Sequence, residues 1–150
     1  MSLAAHPTVR QLAEKSTSPS PTSLDRARLE QGCLDAGVDD VGFVEIDRPE
    51  LSDQVSDILR AMPGTKTLIS YVCRMNREPI RSTARSVSNL EFHHTGDEVN
   101  EVRRRIVNVL EAKGVHALNP SMGFPMEMDA FPGKIWVVSH KPVAEAAGRG

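Results

Sequence analysis

The run Thr67-Leu68-Ile69-Ser70-Tyr71-Val72-Cys73 is apolar almost throughout, in a chain of 150 residues that is 39% hydrophobic. It is far too short for a membrane span, which needs ~20 apolar residues. A run of this length without polar alternation suits a central strand buried on both faces. Such a strand must pair on each side and be covered by other elements, so the rest of the chain has to supply further strands and helices.

The remaining pattern offers both. Residues 24–36 predict a helix capped by Thr22 or Ser23 and stopped by Gly37, with Leu29, Cys33 and Ala36 on one face. Residues 41–46 predict a short strand. Asp47-Arg48-Pro49 then turns the chain into a helix whose stripe is Leu51, Val55, Ile58, Leu59 and Met62. Residues 74–89 read as a polar, arginine-rich connection. Thr95 and Glu98 make a capping box for a helix from about residue 96 to 113. Residues 115–118 and 134–139 predict two more strands, and residues 143–147 start a last helix. The expectation is an α/β (α+β) domain, a mixed sheet covered by helices, over residues 23–150. Residues 1–22, with Ser16-Thr17-Ser18-Pro19-Ser20-Pro21-Thr22, read as a flexible leader.

Composition narrows the function classes. Eighteen basic and 20 acidic residues give a net charge of -2, which supplies no general reason to bind nucleic acid or a membrane. The two cysteines, Cys33 and Cys73, form no close-spaced pair and hence no zinc or redox motif. Free thiols and the lack of an apolar signal-peptide core point to the cytoplasm. No Walker loop, G-x-G-x-x-G, nucleophile elbow or H-E-x-x-H occurs.

Four features bear chemistry. Arg74, Arg77, Arg81 and Arg85 follow a buried strand at steps of three or four residues. Arginine forks there suit phosphate or carboxylate oxygens, while a solvated basic face is the plainer alternative. The loop 119–133 is long and carries Met122, Met126, Met128, Phe124 and Phe131, an adaptable apolar surface for a flat cofactor or a partner, or else a loop packed on itself. His93, beside His94 and just before the capping box, suits an anion at a helix N-terminus better than a metal, for which His116, His140 or Asp97 would have to join. Cys73 beside Arg74 is either an activated thiolate or, the plainer reading, a buried structural thiol. Glu127 and Asp129 offer carboxylates without a visible partner. The candidate cofactor-binding residues are therefore Arg74, Arg77, Arg81, Arg85, His93, Met122 and Met126.

Four strings, in order, resemble the front half of the epoxyqueuosine reductases, relatives of the reductive dehalogenases. These are Asp39-Asp40-Val41-Gly42-Phe43-Val44, then Thr67-Leu68-Ile69-Ser70-Tyr71-Val72. The stretch from Ala84-Arg85-Ser86 to Phe92-His93-His94 follows, and the last is Pro142-Val143-Ala144-Glu145-Ala146-Ala147-Gly148. Arg81-Ser82-Thr83-Ala84-Arg85 is also similar to the arginine-serine phosphate grip of flavin nitroreductases. The resemblance implies a nitroreductase-like fold holding cobalamin, or a flavin, with electrons from iron–sulfur clusters on another domain or protein. It also shows two departures. Ser139 stands three residues before Pro142, where the family has a proton-donating aspartate. The family's C-x2-C-x2-C-x3-C-P cysteines have no counterpart in the matched segment, so no four-iron cluster is expected on this chain alone. Two readings stand: the cofactor-binding part of a reductase-like protein that is not catalytic alone, or a non-catalytic flavin-binding or protein-interaction module. A homo-oligomer is compatible with either.

Overall fold

The computed structural model describes residues 24–120 and 129–149. Its elements, in order, are helix α1 (Arg26–Asp35), strand β1 (Asp40–Glu45), a 3-10 turn (Pro49–Leu51), helix α2 (Val55–Ala61), strand β2 (Thr67–Val72), and helices α3 (Arg77–Arg81), α4 (Arg85–Ala112) and α5 (His140–Ala146). The architecture is α+β, mostly helix around a small sheet.

Among the described residues the sheet has two strands, antiparallel, in register from Asp40↔Val72 to Glu45↔Thr67. Successive side chains point to opposite faces of a strand. Val41 therefore joins a core with Cys33, Ala36, Val102, Ile106 and Leu110, against which Phe43, Ile69 and Tyr71 also pack. Val44 joins a separate core with Leu51, Ile58, Val138 and Val143, bordered by Leu68. Helices α1 and α4 cover the first face, and α2 with α5 cover the second.

The apolar run of β2 is thus covered on both faces, but it is not a central strand, because one of its edges has no neighbour among the described residues. The two further strands expected at residues 115–118 and 134–139 are not strands. Their backbone groups go elsewhere. The Val115 N–H donates to Leu110 O at the end of α4, the Lys134 N–H to Phe131 O in a turn, and the Ser139 N–H to the side-chain Oε1 of Gln54. Groups bonded in this way are not free to form a ladder.

Helix α1 follows the expected face, with Cys33 and Ala36 buried and Leu29 packed beside them. Its cap is Asp25, whose Oδ1 accepts from the Ala27 N–H at 3.1 Å, and Gly37 leaves the helix at φ +112°. In the second helical segment Leu51 and Ile58 are buried as expected, while Leu59 is exposed. The expected helix at 143–147 begins earlier, at His140.

The largest correction concerns α4. It starts at Arg85, and the arginine-rich connection is largely helical, as α3 and the first turn of α4. Thr95 caps nothing; its Oγ1 donates to Glu91 Oε1, one turn earlier in the same helix, at 3.4 Å. A Thr and a Glu three residues apart also fit inside a helix. Gly96, which costs only ~1 kcal/mol there, does not break it. Glu91 Oε1 also accepts from the Asn76 N–H at 2.6 Å, which fastens the start of α3 to α4. The 28 residues of α4 span about 42 Å. Phe92, Val99 and Ile106 recur every seven residues on one stripe, yet Phe92 is 63% exposed, Val99 half-buried and Ile106 7% exposed. The C-terminal half is held by the core, and among the described residues the N-terminal half carries α3.

Two glycines give opposite expectations. A Cβ on Gly42 would lie 2.9 Å from both Cβ and O of Ala147, where α5 ends against β1. Gly42→Ala should cost ~1–3 kcal/mol by overpacking. A Cβ on Gly32, inside α1, meets nothing within 4 Å, so Gly32→Ala should stabilise by ~0.5–1 kcal/mol. Urea denaturation of the two variants checks both signs.

Candidate functional site

The arginines lie along one path without converging on a pocket. Arg74 is tied down: its N–H donates to Asp39 Oδ2 at 2.7 Å and its guanidinium to Oδ1 at 3.3 Å. These bonds, the backbone one foremost, hold the Asp39 carboxyl below the usual carboxylate range. Arg77 opens α3, Arg81 closes it and Arg85 opens α4; all three are exposed. His93 and His94 are exposed in α4, with Phe92 edge-on to the His93 ring at 5.8 Å. They sit more than two turns beyond Arg85, so the helix N–H groups around them are bonded and the expected anion site at a helix start is not there. Met122, Met126, Met128, Phe124 and Glu127 lie outside the described residues. The loop's roots are placed. Arg103 donates to Pro120 O at 3.1 Å, and Arg60 donates to Ala130 O with its guanidinium 5.7 Å above the Phe131 ring. Arg103 is about 27 Å along α4 from Arg85.

Partial burial pushes the Cys73 thiol up, Glu98 and Asp39 push the same way, and Arg105 opposes them. Burial also raises Cys33. Both thiols are free and border the same core, although their predicted elements gave no reason for them to meet. Among the described residues no three His, Cys, Asp or Glu side chains gather for a metal.

The structure forms a concavity elsewhere. A cleft of about 220 Å3 lies between the start of α2 and the segment before α5, lined by Asp53, Gln54, Asp57, Lys134, Trp136 and Ser139 among others. Gln54, immediately before α2, and Asp57 and Arg60 within it are three residues apart on one face, and each holds the facing segment. Gln54 Oε1 accepts from the Ser139 N–H at 2.9 Å, Asp57 Oδ2 meets Lys134 Nζ at 3.0 Å, and Arg60 reaches Ala130. Gln54 is 6% exposed, and its Nε2 is buried with no acceptor among the described residues. The amide cannot simply be turned over, because Nε2 would then face the Ser139 donor. Trp136, the only tryptophan, is exposed at this cleft. Sequence reading missed Gln54 and Asp57. The available signal was that Leu51, Gln54 and Ile58 share one stripe, with a polar side chain where the core is otherwise apolar.

Nearby, His140 is pushed below its usual range by burial and by Arg103. No family model, curated protein or solved structure matches the chain.

Two measurements follow from these environments. Maleimide labelling of both thiols at neutral pH should run roughly tenfold or more slower in the folded than in the urea-unfolded protein, since fewer thiolates are present and access is reduced. A lowered folded pKa at His140 means the unfolded chain takes up that proton first. Stability should therefore fall as pH drops through the ordinary imidazole range near ~6.5. His140→Gln should flatten that part of a stability-against-pH curve.

Proposed function

We propose that the chain supplies one wall of a cofactor site in a corrinoid-reductase-like protein and is not a reductase alone. One coincidence supports this reading. Ser139 occupies the position that the sequence resemblance matches to the family's proton donor, and Ser139 lines the cleft. In this reading the two-stranded sheet and its covering helices are part of a nitroreductase-like layered fold in the cytoplasm, and electrons come from an iron–sulfur domain or partner protein.

This cleft by itself does not hold a whole corrinoid: pockets that enclose drug-sized ligands measure ~300–1,000 Å3, and the cleft is smaller at about 220 Å3. The chain's own part is limited to contact at a ligand's edge. The Gln54 amide has an N–H to donate, Lys134 brings an ammonium, and Trp136 brings an aromatic face. No proton transfer is assigned to Ser139, because a hydroxyl is a poor acid at neutral pH; losing a positioned general acid typically costs ~10²–10⁴-fold in rate. The second reading, a protein-interaction module, has its own support in the exposed apolar residues Ile80, Val87, Leu90 and Phe92 of the α3–α4 hairpin.

The test uses Trp136 as its reporter. Titration with hydroxocobalamin or flavin mononucleotide should quench Trp136 fluorescence, and Gln54→Leu should weaken that response. Anaerobic incubation with cobalamin, a strong reductant and epoxyqueuosine-containing RNA should give no turnover. Quenching absent for both cofactors would remove the cofactor-wall reading. Cobalamin-dependent turnover would remove the statement that the chain is not a reductase alone.

A further inference from the structure

The two ends of the β1–β2 ladder lead into surfaces of opposite charge. Beyond the Asp40↔Val72 end lie residues 74–90, with Arg74, Arg77, Arg81 and Arg85, no lysine and one carboxylate, Glu78. Arg74 is neutralised by Asp39, and Glu91 is turned inward onto the Asn76 N–H. Beyond the Glu45↔Thr67 end, ~17 Å away along the strands, lie exposed Glu45, Asp47, Glu50 and Asp53, offset in part by Arg48 and Lys66, while Lys134 at the cleft is paired with Asp57.

Each end also exposes apolar surface. The hairpin presents Ile80, Val87, Leu90 at 54% and Phe92 at 63% exposure, and the acidic end presents Ile135 and Trp136 at the cleft that Asp53 lines. On the hairpin, arginine without lysine, a single carboxylate and exposed apolar side chains make a composition nearer to a protein interface than to a solvated face. The apolar stripe of α4 also runs past the body it helps to form, so the hairpin has a face with nothing on it among the described residues.

We propose that the occupant of this face is a second copy of the chain: the basic α3–α4 hairpin of one molecule docks on the acidic end of another, around Asp53 and Trp136. Arginine forks meet carboxylates there, and a guanidinium over the exposed indole adds a cation–π contact. The two surfaces are different patches at opposite ends. Reciprocal docking gives a two-fold antiparallel pair, and one-way docking is heterologous and closes into a ring or grows. This arrangement does not depend on the cofactor reading.

Sedimentation velocity over a concentration series tests it. The parent protein should associate at ~0.1 M salt and dissociate toward monomer at ~1 M, where the Debye length falls to about 3 Å. Trp136 emission should shift to the blue as association proceeds. Arg77→Glu with Arg81→Glu should weaken association roughly tenfold or more, and Glu50→Arg with Asp53→Arg should do the same. Mixing the two double variants restores a basic hairpin to an acidic end and an acidic hairpin to a basic end, so the mixture should associate although neither variant does. That rescue also shows that both variants are folded. A parent that stays monomeric at low salt overturns the proposal. So does association that ignores salt or charge reversal, a mixture that stays monomeric, or association that leaves Trp136 emission unchanged.

Discussion

The antiparallel register of β1 against β2 is the constraint on which the other packing rests. It sends Val41, Phe43, Ile69 and Tyr71 to one side and Val44 and Leu68 to the other. A slip of one residue would exchange the two sets. Each side then needs its own cover, and the chain provides α1 with α4 for the first and α2 with α5 for the second. Gly42 belongs to the same arrangement: with no Cβ there, the end of α5 lies directly against β1. The Arg149 side chain extends the contact, donating to Val41 O at 2.9 Å and meeting Asp40 at 3.0 Å.

Elements whose stabilising contacts are local in sequence were legible. The helix holding Cys33, the strand before Asp47 and the stripe of Leu51 and Ile58 each carry their period within a dozen residues. The failures have physical causes. Thr95 with Glu98 reads as a helix start because sequence does not show whether the preceding turn is already helical, and that turn is fixed by Glu91 reaching back to Asn76. The segment from Lys134 to Ser139 has the composition of a strand, but its partners are side chains of α2 and not a neighbouring strand. Such partners are eighty residues away in the chain and leave no local mark.

The candidate site was legible to a smaller degree. Ser139 drew notice only as the residue standing where the resembled family has an aspartate, and it lines the cleft. Gln54 and Asp57 could not, because a polar residue on a helical stripe reads as a solvated position until the facing segment is known. The arginines were visible by spacing, but spacing does not show direction. Arg74 is held by Asp39, and the other three follow the outer hairpin, away from the roots of the methionine loop. For Cys73 next to Arg74 the structural thiol was the favoured reading over an activated one, and burial with Glu98 and Asp39 nearby raises the thiol.

Helix α4 is in effect a cantilever. Val102, Ile106 and Leu110 clamp one half of the rod, and the other half projects with α3 riding on it. About 27 Å of helix separates Arg103 from Arg85, held among the described residues by Tyr71 at Val99 and by Glu91 at Asn76, so a tilt of ~10° at the clamp would carry the tip by about 5 Å. The leverage also works in reverse. A load on the hairpin is felt at Tyr71, whose hydroxyl donates to Val99 O at 3.1 Å just above the clamp. The side chains that fix the core are thus the fulcrum for the outermost arginines, and a change of one methyl group at Val102 would register farthest away, at the opposite end of the helix.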